Sequence, residues 1–221
     1  MEYQENVRII DFLDNSIRVL QDLSLGIGGS VWDCALVYLK YLEKNFESLK
    51  KKYAISEANI LELGTGTGIC GIACLTFQPK KLVMTDKKEI VSLAAKNISL
   101  NEEYIKRVAP KTEVLSQPLL WGKENDKEIL ELEKTHGPFD VILGSDLTYD
   151  KEISALLYQT LLLVSRVGTV LILGYCVHKP TDIKFMELFK EDWECYLVPD
   201  SEYDPEYRSE DIGVVIFKRL R

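Results

Sequence analysis

Short apolar segments alternate with segments of helical character along most of this 221-residue chain. Residues 59–63, 81–86 and 139–146 are apolar runs of strand length, and each precedes a segment with the composition and spacing of a helix. Strands that alternate with helices of this length form βαβ units, whose strands lie parallel in one sheet. The sequence therefore predicts an α/β fold with a mostly parallel sheet.

The alternation continues without a linker rich in Pro, Gly or Ser, which predicts a single domain over residues 1–221. Residues 1–30 precede the alternating part, and we interpret them as an N-terminal extension that covers the functional site. One segment, NDKEILELEKTHGP at residues 125–138, is polar. We expect it to be a loop or a surface insertion.

Composition argues against several classes of protein. A net charge of −8 without a long block of Lys and Arg argues against nucleic-acid binding, and it fits either ordinary solubility or a basic protein partner. No apolar run approaches the roughly 18 residues of a membrane span, and no signal peptide is visible. Five cysteines without CxxC spacing and two histidines predict neither a disulfide framework nor a metal site. Reduced cysteines favour the cytoplasm, with the nucleus as the alternative.

A dense glycine turn follows the first of these strands, in the sequence LELGTGTGIC. Glycines at the carboxyl end of a strand allow a tight turn and let a ligand lie against bare backbone. Asp86 ends the next strand, 22 residues after Gly64. That spacing suits a carboxylate that accepts hydrogen bonds from a ribose diol. The alternative for Asp86 is an N-cap of the helix that follows.

The glycine spacing bears on the identity of the ligand. The dinucleotide fingerprint is GxGxxG, whereas Gly64, Gly66 and Gly68 form GxGxG, which disfavours a nicotinamide dehydrogenase. The sequence ELGxGxG resembles motif I of the class I methyltransferases, which are seven-stranded and Rossmann-like. This resemblance implies S-adenosylmethionine as the cofactor, a doubly wound and mostly parallel sheet with an antiparallel last strand, and Asp86 on the ribose.

Three further stretches resemble the family-16 methyltransferases: GGSVWDCALVYLKYLE before motif I, LLWG, and SDLTYD, which fits the DxxY motif of that family after the fourth strand. The resemblance implies a protein-lysine N-methyltransferase in which Asp146 and Tyr149 are catalytic. The cofactor-binding residues that it implies are Trp32, Glu62, Gly64, Thr65, Gly66, Asp86, Trp121 and Ser145.

Each of these roles has a simpler alternative. Trp32 and Trp121 could be core residues, and Ser145 could start a turn. Asp146 or Asp150 could cap the helix that begins near Lys151, and Asp150 is the better cap.

The C-terminal segment DPEYRSEDI, residues 204–212, resembles that of lysine methyltransferases that act on AAA-type ATPases of the valosin-containing class. The implied partner is therefore a protein that presents a lysine, such as this ATPase. A chaperone or an elongation factor is an alternative target, and a non-catalytic binding module is an alternative function. The alternating charges of this segment fit either a substrate-reading rim or a salt-bridged surface.

Overall fold

The computed structural model describes residues 6–176 and 180–221, and for residues 180–183 it describes the backbone. The strands are β1 (Val7–Phe12), β2 (Asn15–Leu20), β3 (Asn59–Leu63), β4 (Lys81–Asp86), β5 (Glu113–Pro118), β6 (Val141–Ser145), β7 (Val170–Cys176), β8 (Trp193–Leu197) and β9 (Ile212–Arg219). The α-helices are α1 (Asp33–Lys44), α2 (Phe46–Lys52), α3 (Ile69–Cys74), α4 (Lys88–Leu100), α5 (Glu102–Val108), α6 (Asp126–His136), α7 (Lys151–Val164) and α8 (Pro180–Leu188).

Seven strands form one sheet in the order β5-β4-β3-β6-β7-β9-β8. The pairs among β3 to β7 are parallel, whereas β9 is antiparallel to both β7 and β8. The last strand is therefore the one that runs against the others. The predicted fold class, an α/β Rossmann-like sheet that is mostly parallel with an antiparallel last strand, is confirmed.

Apolar residues on both faces of the sheet explain why its strands read as nearly continuous apolar runs. In β7, Val170 and Ile172 belong to one core cluster, while Leu171 and Leu173 belong to a second. Successive residues of a strand point to opposite faces, so the two clusters lie on the two sides of the sheet. Helices α1, α3 and α4 contribute to the first cluster, and α6 and α7 contribute to the second.

The N-terminal extension forms a hairpin of β1 and β2, which packs against the first cluster. Asn97 of α4 and Asn101, the residue directly after α4, bind the edge of β2. The side-chain oxygen and nitrogen of Asn97 bond to the N–H and carbonyl of Leu20, and Asn101 bonds in the same way to Arg18. These pairs satisfy backbone groups that an edge strand would otherwise leave unpaired. Residues 1–5 of the extension lie outside the described residues.

The expectation for residues 125–138 is wrong. This segment forms helix α6, in which Ile129 and Leu132 are buried in the second core cluster against α7. Only a narrow apolar stripe of α6 packs against the core. The other residues of the helix are mostly polar, so the helical spacing of its apolar residues was hard to recognise in the sequence. Within the described ranges, no helix combines the length and the apolar character needed to cross a membrane.

Candidate active site

A cavity of about 550 Å³ lies at the carboxyl ends of β3, β4 and β6. Parallel strands bring these ends to one edge of the sheet, where α/β proteins bind their ligands. All ten of the predicted site residues line the cavity: Trp32, Glu62, Gly64, Thr65, Gly66, Asp86, Trp121, Ser145, Asp146 and Tyr149. The structure therefore brings them together, while their individual roles stay predictions.

The glycine turn connects β3 to α3, and its backbone needs glycine. Gly64 and Gly66 have φ angles of 60° and 55°, in the left-handed region that other residues rarely adopt. A Cβ on Gly64 would lie 2.5 Å from a methyl carbon of Leu147 and 3.3 Å from the ring of Trp121. A Cβ on Gly66 would lie 3.3 Å from the carbonyl oxygen of Gly28. The bare backbone thus lets neighbouring segments of the protein close around the turn.

Glu62 is buried beneath this turn. One carboxylate oxygen accepts a hydrogen bond from the hydroxyl of Thr65, and the other accepts one from the N–H of Gly71, at 3.0 Å. Burial raises the pKa of Glu62 to about 8, although both hydrogen bonds act in the opposite direction. Glu62 therefore connects the start of the turn to α3, in addition to lining the cavity.

Asp86 connects the turn to β4. One oxygen of its carboxylate accepts the N–H of Gly66 at 2.8 Å, and the other accepts the N–H of Lys87 at 2.8 Å. Burial raises the pKa of Asp86, and these two hydrogen bonds lower it. Lys87 is the N-cap residue of α4, which has no side-chain cap, so the capping alternative for Asp86 is wrong. Each oxygen keeps a further lone pair for a ligand.

The two tryptophans differ in their surroundings. Trp121 is half-buried and packs against the second core cluster beside Gly64. Trp32 is 47% exposed, and its ring N–H donates to the carbonyl oxygen of Ile27 at 2.8 Å. A core role for Trp32 is therefore wrong.

Asp146 follows β6 with an unusual backbone. Its φ of 57° lies in the left-handed region, and its N–H donates to the carbonyl of Gly174 on the neighbouring strand. Asp150 accepts hydrogen bonds from the N–H groups of Glu152 and Ile153, so it caps α7 as predicted. Asp146 is consequently not needed for capping.

Tyr149 and Ser145 flank Asp146 in the chain, and both are half-buried. Burial raises the pKa of Tyr149, and the negative charges of Asp86, Asp150 and Asp146 raise it further. The phenol therefore keeps its proton at neutral pH. Ser145 ends β6, and its hydroxyl lies 3.5 Å from the Sγ atom of Cys34.

Sequence reasoning missed most of the apolar wall of the cavity. The N-terminal extension contributes Leu25, Ile27 and Gly28, while Leu119 and Leu120 follow β5. These residues lie outside the periodic helices and strands, so periodicity gave no signal for them, and the LLWG stretch pointed only to Trp121.

Asn97 was also missed. Its side-chain nitrogen donates to the carbonyl of Thr67 in the glycine turn as well as to Leu20. The available signal was the spacing of Asn97 and Asn101, because residues four apart near the end of a helix lie on the same side of it.

Two of the solved structures with the same fold are a methylase and a protein in complex with MeSAdo. Ribosomal protein L11 methylase from Lactobacillus delbrueckii subsp. bulgaricus is 18% identical with a TM-score of 0.53, covering 82% of this chain and 79% of that one. Pyrococcus horikoshii TYW2 in complex with MeSAdo is 12% identical with a TM-score of 0.53, covering 97% and 70%. The strand order and the antiparallel last strand are those of the class I methyltransferase fold, which is Rossmann-like.

A family model for lysine methyltransferases matches residues 12–192, and the chain belongs to this family. Protein N-lysine methyltransferase METTL21A from Mus musculus is 27% identical over 206 residues, 93% of this chain and 85% of the relative. EEF1A lysine methyltransferase 3 from Xenopus tropicalis is 32% identical over 152 residues, 68% and 59%. Protein-lysine N-methyltransferase EFM6 from Saccharomyces cerevisiae is 27% identical over 190 residues, 79% and 74%.

Family membership confirms an enzyme that methylates lysine in proteins, with S-adenosylmethionine as the cofactor. The cavity fits this cofactor, because bare glycine backbone, a strand-ending carboxylate and the ring of Trp121 meet in one concave site of suitable volume. Specific resemblance to the enzymes of valosin-containing ATPases is not confirmed.

Proposed function

We propose that Asp146 and Tyr149 receive the lysine side chain of a protein substrate beside the cofactor cavity. The observation that supports this most is the left-handed backbone of Asp146, held by its hydrogen bond to Gly174. Such a conformation costs a residue other than glycine roughly 1–3 kcal/mol, and strain of this kind concentrates at functional sites. It keeps a carboxylate that caps no helix at the wall of the cavity.

The cofactor would be held by the glycine turn and by the side chains around it. Asp86 would accept hydrogen bonds from the ribose hydroxyls, and the rings of Trp32 and Trp121 would contact the adenine or methionine part. Gly64, Thr65 and Gly66 would present backbone to it. When bound, S-adenosylmethionine supplies a methyl group activated by the positive sulfur.

Asp146 and Tyr149 would act on the amine in different ways. A free lysine has a pKa of about 10.4, so it arrives as an ammonium and must lose a proton before it attacks. The negative charge of Asp146 attracts the ammonium but also stabilises it, so Asp146 positions the amine rather than deprotonating it. Tyr149, protonated at neutral pH because its pKa is raised, can orient the amine through its hydroxyl and its ring.

We propose a AAA-type ATPase of the valosin-containing class as the target, on the resemblance of residues 204–212. This segment leads into β9 and includes its first residue, Ile212, which pairs with Cys176 at the end of β7. Its connection to the sheet therefore lies on the same edge as the cavity. Tyr207 in this segment is exposed, and the ammonium of Lys40 lies 5.4 Å from its ring. Elongation factor 1A is a second candidate target, because one relative is named for that protein.

A direct comparison of the two targets tests the proposal. The full-length protein would be incubated with tritiated S-adenosylmethionine and either the assembled ATPase or elongation factor 1A, and the labelled lysine located by mass spectrometry. We expect label on the ATPase. Label on elongation factor 1A alone would favour the second candidate. Label on neither protein, with label on another band of a cell extract, would contradict both.

A further inference from the structure

Two thiols and a carboxylate converge beside the proposed amine site. The Sγ atoms of Cys34 and Cys176 and a carboxylate oxygen of Asp146 all lie within 4.8 Å of one another. Cys34 lies in the first turn of α1, Cys176 ends β7, and Asp146 follows β6. Three ligand atoms from three separate elements thus meet at one point, although their sequence spacing resembles no metal motif.

The sheet register explains this convergence. Ser145 pairs with Gly174, and the N–H of Asp146 bonds to the carbonyl of Gly174. Cys176 lies two residues beyond Gly174 and therefore on the same face of β7. A Cβ on Gly174 would lie 3.3 Å from the Sγ atom of Cys34. The missing side chain thus leaves room for α1 to bring Cys34 to the strand ends.

The separations suit a small thiophilic ion. A tetrahedral Zn²⁺ with bonds of about 2.3 Å to sulfur and about 2.0–2.2 Å to oxygen requires ligand atoms roughly 3.5–3.8 Å apart. The Sγ atom of Cys176 already lies 3.7 Å from the carboxylate of Asp146. The hydroxyl of Ser145, 3.5 Å from the Sγ atom of Cys34, can donate to a thiolate there, as groups that hydrogen-bond to metal ligands commonly do.

Two other cysteines show the contrast with an ordinary buried thiol. Cys70 and Cys74 lie on α3 and belong to the first core cluster. Cysteines in such positions behave as small apolar residues. Cys34 is equally buried, but its Sγ atom lies against the hydroxyl of Ser145 and within 4.8 Å of ligand atoms of Asp146 and Cys176.

We propose that Cys34, Cys176 and Asp146 bind a thiophilic divalent cation of the Zn²⁺ class, and that the bound ion withdraws Asp146 from the substrate amine. Three protein ligands leave the fourth position of the ion to water. Binding would therefore inhibit methylation reversibly, at the amine site and not at the cofactor site. The inhibitory part rests on the proposed function, because it requires Asp146 to hold the amine.

Titration with Co²⁺ tests the site independently of activity. Thiolate coordination to Co²⁺ produces charge-transfer absorption in the near ultraviolet, and we expect this band to saturate with one ion per chain. Cys34→Ser and Cys176→Ser should each weaken Co²⁺ binding by at least about tenfold. Cys195→Ser, which alters an exposed cysteine on β8, is the matched control and should leave the band unchanged. The absence of a band, or its persistence in Cys176→Ser, would overturn the proposal.

Inhibition by Zn²⁺ tests the regulatory part. We expect Zn²⁺ to raise the KM for the protein substrate while calorimetry shows unchanged affinity for S-adenosylmethionine. Cys176→Ser should need at least about ten times more Zn²⁺ for the same inhibition, relative to its own rate without metal. Equal inhibition of the wild-type protein and of Cys176→Ser by the same concentration of Zn²⁺ would overturn the regulatory part. If no substrate is methylated at all, the proposed function fails, whereas the Co²⁺ titration still decides whether the site exists.

Discussion

Four carboxylates at this edge of the sheet differ in the hydrogen bonds that they already make within the protein. Glu62 gives both oxygens to the glycine turn and α3, and Asp86 gives each oxygen to one backbone N–H. Asp150 caps α7. Asp146 accepts a hydrogen bond from the thiol of Cys176, at 3.7 Å between sulfur and oxygen, and caps no helix. The four acids therefore should respond differently to neutral substitution, although all four lie within one edge of the sheet.

Asp146→Asn should separate catalysis from cofactor binding. The amide keeps the shape of the side chain but removes the charge that attracts the substrate ammonium. We expect near-normal affinity for S-adenosylmethionine by calorimetry and a methylation rate lowered by at least ~10²-fold, about 2.7 kcal/mol. Tyr149→Phe should do less, because the ring remains. Asp150→Asn is the matched control, since Asn caps a helix as well as Asp does. Lost cofactor binding in Asp146→Asn would place this residue in the cofactor site instead.

Asp86→Ala should weaken the binding of S-adenosylmethionine by ~1.5–3 kcal/mol, the range for a hydrogen bond to a charged group. The substitution removes the proposed acceptor for the ribose and also frees the N–H of Gly66. Calorimetry measures the change in affinity. Glu89→Ala removes a nearby exposed carboxylate that also lines the cavity, so it controls for charge alone. Equal losses in both variants would argue against a specific contact with the ribose.

Glu62 should make the folded state less stable as the pH rises. Its pKa is about 8 in the folded protein against an ordinary value of 4.5, so the folded state binds the proton more tightly than the unfolded state does. Its contribution is fully present below about pH 4.5 and is lost as the pH rises through about 8. Urea unfolding at pH 5.5 and 8.5 should show a smaller loss of stability for Glu62→Gln than for the wild-type protein. Glu89→Gln, at an exposed position, should retain the wild-type loss.

At the scale of elements, the glycine turn is held from three sides. Glu62 bonds to it from β3, Asp86 from β4, and Asn97 from α4 through the carbonyl of Thr67. The left-handed φ of Gly66 means that Gly66→Val would strain the backbone whatever the ligand does. That substitution is therefore a poor probe of ligand contact, and Asn97 is a better one.

Asn97→Ala should lower both stability and cofactor affinity. It leaves the N–H and carbonyl of Leu20 and the carbonyl of Thr67 without their partner, which we expect to cost roughly 2–5 kcal/mol of unfolding free energy. Asn101→Ala loses the equivalent bonds to Arg18 but has no bond to the glycine turn. Urea unfolding should show similar losses in both variants, while calorimetry should show weaker S-adenosylmethionine binding in Asn97→Ala alone. Equal affinities would show that the turn does not depend on this asparagine.

The elements were predictable to the extent that their periods were visible. Buried strands such as β7 and the capped start of α7 follow directly from apolar runs and from Asp150. Helix α6 was not predicted, because two buried residues, Ile129 and Leu132, carry its whole contact with the core. The positions of the site residues followed from motifs, whereas Asn97 and Cys34 depend on which elements meet in space. The spacing of residues along the chain does not show which elements come into contact.

At the scale of the whole molecule, the two core clusters share one sheet. The hairpin of β1 and β2 adds Phe12 and Ile17 to the first cluster, and α7 adds Leu157 and Leu161 to the second. Since every central strand contributes side chains to both, loss of packing in one cluster also disturbs the strands that form the other. The single domain over residues 1–221 stays a prediction.

Unfolding should therefore be one cooperative transition. Tryptophan fluorescence and far-ultraviolet circular dichroism should give coincident urea curves, as expected of a two-state protein. Ile17→Val, in the hairpin, and Ile142→Val, in the second cluster, should each shift the whole curve by about 0.5–1.5 kcal/mol. A separate early transition in Ile17→Val would instead show that the N-terminal extension unfolds alone.

The reversed direction of β9 places a surface connection, which can change in sequence and length, on the edge of the sheet that carries the cavity. Because β9 runs against β8, residues 198–211 connect them as a hairpin on the edge of the sheet that carries the cavity. Surface connections tolerate changes of length and sequence that paired strands do not. A surface for recognising targets that is built there can change in length and sequence while the glycine turn at residues 64–68, which lies far earlier along the chain, stays the same.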